Sequence, residues 1–267
     1  MGVCACERYA NRVTFLFLGT GTSHGVPMIG CDCAVCRSTD PRDNRLRPSI
    51  YVECDNGQRI LVDTTPDFRQ QALRHDIRRV DAVVYTHAHA DHVLGLDELR
   101  RFNHMTHQPV PLYGEKRTLE QIKQTFAYAF DADARAGGGV PNLTMHVIDA
   151  SPFTIGGQEI VPVPVRHGTW TIFGYRFGRF AYLTDCNAIP DSSRPLLENL
   201  DVLVLDALRH RPHPTHFTVA QAIEAAKAIG AKQTYLTHIC HDLGHAETSA
   251  KLPDGVALAY DGQRVTT

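Results

Sequence analysis

No apolar run in this 267-residue chain approaches the ~20 residues needed to cross a bilayer, and its opening stretch, MGVCACERYANR, lacks the apolar segment of a signal peptide. Charge of one sign is missing too. The 27 Lys and Arg against 29 Asp and Glu leave a formal charge of -2, which offers no broad attraction to nucleic acid or to an anionic membrane. An anionic substrate must then be held by local contacts. Internal repeats and low-complexity segments are absent, so a single domain over residues 1–267 is the economical reading, with residues 1–12 a poorly ordered extension. Together these absences predict a soluble, cytoplasmic protein with no membrane partner. Its eight cysteines are then expected as reduced thiols or metal ligands rather than disulfides.

What is present is a series of short apolar or alternating segments: RVTFLFLG, SIYVECD, RILVDT, DAVVYT, RFAYLTD and DVLVLDA. Each is bounded by Gly, Asp or Thr, as strands of covered sheets are. Apolar residues at helical spacing predict helices over 94–102, 116–130 and 219–229, and a further helix fits 66–75. The class is α/β, layered sheets with helices outside. The stretch DADARAGGGVPN, residues 131–142, is predicted to be a mobile loop near the site, because three glycines and a proline break the preceding helix.

The stretch VVYTHAHADHVLGLDEL puts His87, His89, Asp91 and His92 within six positions, on a predicted strand-to-helix turn. Such turns present side chains to a crevice while rigid elements hold them. The spacing H-x-H-x-D-H could ligate two ions, with His87 and His89 facing one and Asp91 and His92 the other. Partners are found in similar settings: His167 follows EIVPVPV, Asp185 ends RFAYLTD and His238 follows QTYLT. Strand ends on one sheet edge converge.

From about Val13 to its end the sequence resembles the metallo-β-lactamase superfamily, whose signature is T-H-x-H-x-D-H followed by a distant His, an Asp after a strand and a final His. The resemblance implies an αββα sandwich, two packed mixed sheets with helices on the outer faces. It implies two divalent cations, Mn2+, Zn2+ or Fe2+, on His87, His89 and His167 and on Asp91, His92 and His238. Asp185 would bridge them, and Asp91 would be catalytic as well as a ligand. Two such ions ~3.5–4 Å apart can activate a water to hydroxide and clamp the oxygens of an in-line displacement at phosphorus. Asp63, in ILVDTTPDF, falls where the superfamily often has an aspartate that orients the histidine loop; a cap for the helix beginning at Pro66 is the other reading.

A second constellation is GCDCAVCRS, with Cys31, Cys33 and Cys36. Thiols this close favour a metal over a strained disulfide. A fourth ligand is missing locally. LTHICHDLGH offers His241, three residues past His238, with Cys240 in competition. A C-x-C-x2-C loop after LGTGTSHGVP, with H-x2-H at the far end, is similar to PhnP-type phosphodiesterases, which open a ribosyl cyclic phosphate. That similarity implies one structural Zn2+ on Cys31, Cys33, Cys36 and His241, a closed site that staples rather than catalyses. Cys54 and Cys186 read as ordinary strand residues, and Cys4 and Cys6 carry no assignment.

In LRHRPHPTHFTVAQAIEAAK, His216 precedes an amphipathic helix and could simply cap or pack. The PhnP-type similarity implies instead a catalytic histidine that stabilises the oxyanion or protonates the leaving alkoxide. His210 and His213 are weaker candidates, and Arg209 and Arg211 could bind phosphate or be solvated. GTGTSHG lacks the P-loop lysine and reads as a tight strand exit. The expected function is a metal-dependent phosphodiesterase opening a small, ribosyl cyclic phosphate, with no extended nucleic acid bound and a homodimer left open. The alternatives are a tRNase Z-like ribonuclease, whose RNA-gripping arm is not visible here, a thioester or lactone hydrolase, and a PqqB-like accessory protein.

Overall fold

The computed structural model describes residues 12–131, 133 and 139–267. The expected disorder of residues 1–11, Cys4 and Cys6 among them, and the mobility expected of residues 132 and 134–138 lie outside the described residues. Strand β1 (Val13–Gly19) pairs antiparallel with β2 (Ser49–Cys54) and β2 with β3 (Arg59–Val62). Then β4 (Ala82–Val84), β5 (Val110–Glu115) and β6 (Leu143–Ile148) add on parallel. The second sheet repeats this plan. Antiparallel β7 (Phe153–Ile155), β8 (Gln158–His167), β9 (Trp170–Phe177) and β10 (Phe180–Leu183) lead into parallel β11 (Val202–Asp206), β12 (Gln233–Thr237) and β13 (Val256–Leu258). The last strand, β14 (Arg264–Thr266), returns to pair with β1, which completes two mixed sheets of seven strands each among the described residues.

Alternate residues of the same strands fill two different cores, and that is why the segments read as almost unbroken apolar runs. Phe15, Phe17, Val52 and Val62 of the first sheet meet Tyr175, Phe180, Tyr182 and Val204 of the second. Phe15 and Phe180 stack across the seam with ring centroids 3.8 Å apart and planes 9° from parallel. The opposite faces lie under helices. Leu16, Leu61 and Tyr85 pack beneath α1 (Phe68–Arg74), α3 (Arg100–Thr106) and α4 (Lys116–Thr125). Leu205 and Leu236 pack beneath α6 (Val219–Ile229). Among the described residues no helix is long and apolar enough to cross a membrane.

The helix over 219–229 forms as its sequence predicts, with a Thr218/Gln221 capping box and Gly230 left-handed at its end. The helix expected over 66–75 narrows to α1. The one expected over 94–102 does not form as a unit. A single turn, α2 (Ala90–Val93), comes first; a 3-10 turn (Leu96–Leu99) then leads into α3, which runs on to Thr106. Gly95 separates them, at a point where a Cβ would lie 2.0 Å from the Thr65 carbonyl oxygen. The helix over 116–130 breaks at Phe126, whose backbone (φ -112, ψ 40) leaves the helical region, so α5 (Ala127–Phe130) is separate.

Phe15→Ala or Phe180→Ala should cost about 3–5 kcal/mol by urea denaturation. The double variant should cost less than the sum, because the two rings are each other's neighbours.

Candidate metal centre

The chemistry-bearing residues leave strands at their C-terminal ends. Asp63 follows β3, the His87–His92 loop follows β4, His167 ends β8, Asp185 follows β10, Asp206 ends β11 and His238 follows β12. Three of them turn sharply: Asp63 (φ 64), Asp185 (φ 54) and His238 (φ 59) are left-handed, a conformation that Asp and His tolerate better than most residues. Strain of order 1–3 kcal/mol at each is the kind found where side chains are aimed for function.

Two groups of donors result. The ligand atoms of His87, His89 and His167 lie within 4.8 Å of one another, as do those of Asp91, His92, Asp185 and His238. Asp185 stands between the groups, with Oδ2 3.2 Å from His238 Nε2 and 3.9 Å from His87 Nε2, and Oδ1 3.3 Å from His92 Nε2. His87 Nε2 and His89 Nδ1 face each other at 3.0 Å. Nitrogens ~2.0–2.1 Å from a tetrahedral ion stand about 3.3 Å apart, so this spacing fits a first-row divalent cation. Asp91 Oδ2, His92 Nε2 and both ring nitrogens of His238 are buried and make no hydrogen bond. Buried polar atoms are ordinarily satisfied, and such orphans aimed at one another fit a cation-binding role.

Electrostatics point the same way. Burial, helped by His92, holds His87 well below its ordinary pKa, and burial takes His167 down to about 4. Against the burial that would raise it, His238 and His92 keep Asp185 well below the usual carboxylate range. Against the burial that would lower them, the carboxylates lift His92 far above its ordinary value and His238 to about 10. Protons on these two imidazoles would compete with a cation for the same nitrogens. Metal affinity should therefore fall as pH falls, with protons released on loading.

Asp63 resolves in favour of the histidine loop and not the helix cap. Its Oδ1 accepts the Thr86 N–H at 2.8 Å, and its Oδ2 accepts from Thr86 Oγ1 at 2.8 Å and from His92 Nδ1 at 2.7 Å. The N-cap of α1 is Asp67, which makes no side-chain cap bond.

At the cysteine loop, Cys31, Cys33 and Cys36 Sγ lie 3.2, 3.4 and 3.6 Å from His241 Nδ1. Around a tetrahedral zinc, with Zn–S ~2.3 Å and Zn–N ~2.0–2.1 Å, sulfur and nitrogen stand about 3.5 Å apart, so the four donors fit. The Cys36 backbone N–H pulls the Cys33 thiol down to about 6, towards the thiolate a metal needs, while burial raises Cys36 to about 11. Cys240 is not a member of this group; its buried sulfur accepts the Asp242 N–H at 3.3 Å. Cys54 and Cys186 are buried core residues.

His216 is brought to the two donor groups, its ring 5.1 Å from that of His167 and stacked 4.5 Å from that of His238. Beside it a cavity of about 240 Å³ runs to His241, lined by His24, Arg209, Arg211, His213, His216 and Asp242. His213 Nδ1 accepts the Thr215 N–H at 3.3 Å, and His210 stays exposed outside the cavity. Two residues escaped the sequence reading. Asp206 contacts both His216 and His238, and its place at the end of DVLVLD was the same signal that marked Asp185. Trp170, the only tryptophan, lies 5.2 Å from the His89 ring with the Arg117 guanidinium 4.4 Å over it. Nothing local marked it.

Fold and site together define a metallo-β-lactamase-fold hydrolase, and over residues 58–239 the chain matches the beta-lactamase superfamily domain. A solved diphosphatase of the PhnP family superposes with a TM-score of 0.90 at 50% identity, covering 96% of this chain and 97% of that one. The chain belongs to the PhnP family of that superfamily. An octanoyltransferase of Porphyromonas gingivalis is 39% identical over 249 residues, 92% of this chain; the chain spans about half that relative's length (50%). A coenzyme PQQ synthesis protein B of Methylobacterium nodulans is 29% identical over 223 residues, 72% of this chain and 71% of that one.

Mild chelation should strip the histidine–carboxylate donors and leave about one zinc per chain, since a closed thiolate site exchanges slowly. Cys33→Ser or Cys36→Ser should lose that zinc and melt at a lower temperature. Full zinc content in both variants, by plasma mass spectrometry, would exclude the Cys3His site.

Proposed function

We propose that the chain hydrolyses a P–O bond of a small phosphodiester, most simply a ribosyl cyclic phosphate, at the centre formed by the histidine loop. The observation that carries this reading is Asp185 standing between two cation-sized donor groups, with His216 beside both and a small cavity lined by Arg209 and Arg211 beyond it. His87, His89 and His167 would hold one divalent cation, and Asp91, His92 and His238 the other, with Asp185 shared. Such a pair lowers the pKa of a water and neutralises phosphoryl charge, with Mn2+, Zn2+ or Fe2+ all compatible with imidazole and carboxylate ligands. A third metal, zinc, would be structural on Cys31, Cys33, Cys36 and His241.

The chain's own residues supply the rest. Asp63 fixes His92 through Nδ1 and holds the loop through Thr86. His216 stands where it can protonate a leaving oxygen or steady the charge on the phosphoryl group. Arg209 and Arg211, the latter paired with Asp242, line the cavity beside His24 and His213 and offer donors to a compact anion. A long RNA would need many phosphate contacts that a chain of charge -2 does not offer. The kinship with a PhnP-family diphosphatase favours a second reading, a diphosphate linkage. The two differ at the leaving group: an alkoxide needs a proton, whereas a departing phosphate hardly does.

The test compares kcat/KM for ribose 1,2-cyclic phosphate, a 2',3'-cyclic nucleotide, a dinucleoside diphosphate, bis(p-nitrophenyl) phosphate, a thioester, a lactone and a precursor tRNA under matched metal and salt. A cyclic phosphate should lead. Preference for the dinucleoside diphosphate selects the second reading, and a lead for the tRNA, thioester or lactone overturns both. Asp185→Ala should lose metal together with turnover. His216→Ala should keep its metals and slow turnover of an alkyl ester by roughly 10² to 10⁴.

A further inference from the structure

Asp206 is fully buried at the end of β11, and both its carboxylate oxygens are engaged. Oδ2 accepts the Phe217 N–H at 2.9 Å, which ties it to the residue next to His216. Oδ1 lies 3.1 Å from His216 Nδ1 and 3.5 Å from His238 Nδ1. The two rings so held are stacked, with planes only 11° apart. The neighbouring backbone is pinned as well, since Phe217 N also donates to the Cys186 carbonyl at 2.8 Å and Phe217 O accepts the Leu208 N–H at 3.0 Å. A histidine on a loop would otherwise sample several rotamers; this one has its ring plane and one nitrogen fixed.

With Nδ1 taken, Nε2 is the nitrogen left for chemistry, and His216 shares a 4.8 Å donor group with His167 and Asp185. We propose that Asp206 is the positioning residue of the reaction. It accepts the Nδ1–H of the His216 imidazolium and so holds the second proton, on Nε2, toward the leaving oxygen, while the same carboxylate oxygen lies 3.5 Å from His238 Nδ1 on the side of that ring away from Asp185. The inference rests on the reading of His216 as the acid. In the step it serves, the oxygen of water bonds to phosphorus and the P–O bond to the leaving group breaks. That electron pair goes to the leaving oxygen, which takes the proton from His216 Nε2. Donation leaves the His216 ring neutral; the proton released by the attacking water goes to solvent, and a proton taken back from solvent restores the ring for the next turnover. Asp206 itself touches neither substrate nor reacting atoms.

The experiment uses the metal-loaded enzyme and the variants Asp206→Asn, Asp206→Glu, His216→Ala and Asp206→Asn/His216→Ala. Each is assayed on two phosphodiesters, one with an alkoxide and one with a p-nitrophenolate leaving group, and its metal content is measured. An Asn turns an N–H toward His216 Nδ1 and a Glu displaces the carboxylate, so either should lower kcat on the alkyl ester by roughly 10- to 10³-fold with KM little changed. The loss on the nitrophenyl ester should be far smaller, because that leaving group departs unprotonated. The double variant should be no slower than His216→Ala by more than about threefold, since the two residues act as a unit. Should Asp206→Asn not fold, Asp206→Glu carries the same expectation. Equal losses on both esters, full additivity in the double variant, or loss of metal would reduce Asp206 to a structural support and overturn the proposal. If His216→Ala itself shows no leaving-group dependence, the acid reading fails and Asp206 has nothing to position; if His216→Ala shows it and the Asp206 variants do not, only the role of Asp206 is lost.

Discussion

Four carboxylates, those of Asp63, Asp91, Asp185 and Asp206, are held almost wholly out of water at one end of the molecule, and the cost of doing so organises the site. An isolated buried carboxylate is penalised by several kcal/mol, so each must find positive charge or donors. Asp63 takes the Thr86 N–H and His92; Asp206 takes the Phe217 N–H and His216; Asp185 lies among His87, His92 and His238. His92, His216 and His238 are thereby turned with Nδ1 toward a carboxylate and Nε2 toward the centre, whereas Nδ1 of His87 faces the Thr86 hydroxyl and that of His167 the Thr215 carbonyl. The orientation of the first three is a result of compensating charge.

This compensation needs rigid supports, and the two stacked sheets supply them. The strands that feed the site are largely buried on both faces, between the Phe15–Phe180 seam and an outer layer of helices, with β8 reaching the surface at Glu159 and Arg166. The left-handed turns at Asp63, Asp185 and His238 come immediately after such strands, where the packing is strong enough to hold a strained residue. A loop of the same sequence on a loose scaffold would relax.

The two donor constellations are mechanically joined. His238 and His241 belong to one loop, whose backbone is tied to the strand exit by Ile239 N–H to the Thr20 carbonyl at 2.8 Å and Thr22 N–H to the Ile239 carbonyl at 3.1 Å. The buried Arg45 guanidinium donates to the Cys240 and Leu243 carbonyls on either side of His241 and pairs with Asp43, which in turn accepts the His245 N–H. A zinc on the cysteines would therefore bear on the placement of His238, although it lies outside the reacting centre. His238 and His241 stand three positions apart on that loop.

Local spacing was sufficient to declare the histidine cluster, the cysteine trio and helix 219–229, because each depends on neighbours in sequence: H-x-H-x-D-H on one turn, C-x-C-x2-C on one loop, and Thr218, Gln221 and Gly230 capping one helix. Distant members such as His167, Asp185 and His238 were legible because strand ends on one sheet edge must converge. Other features were decided only in three dimensions. Gly95 falls between two helical turns, where its N–H donates to the Thr64 carbonyl and the Thr65 carbonyl leaves no room for a side chain. Cys240 is excluded from the thiolate group because its sulfur turns to the Asp242 N–H. Asp63 serves the histidine loop and leaves the helix uncapped, a choice between two hydrogen-bond partners that spacing cannot make. Asp206 carried the same strand-end signal as Asp185, yet its worth depends on His216 arriving from ten residues further on. Residue type and short-range spacing thus determined which atoms can bind or transfer protons. Which of them meet, and with which nitrogen or oxygen forward, was decided by packing, because orientation is a property of the partner across the fold.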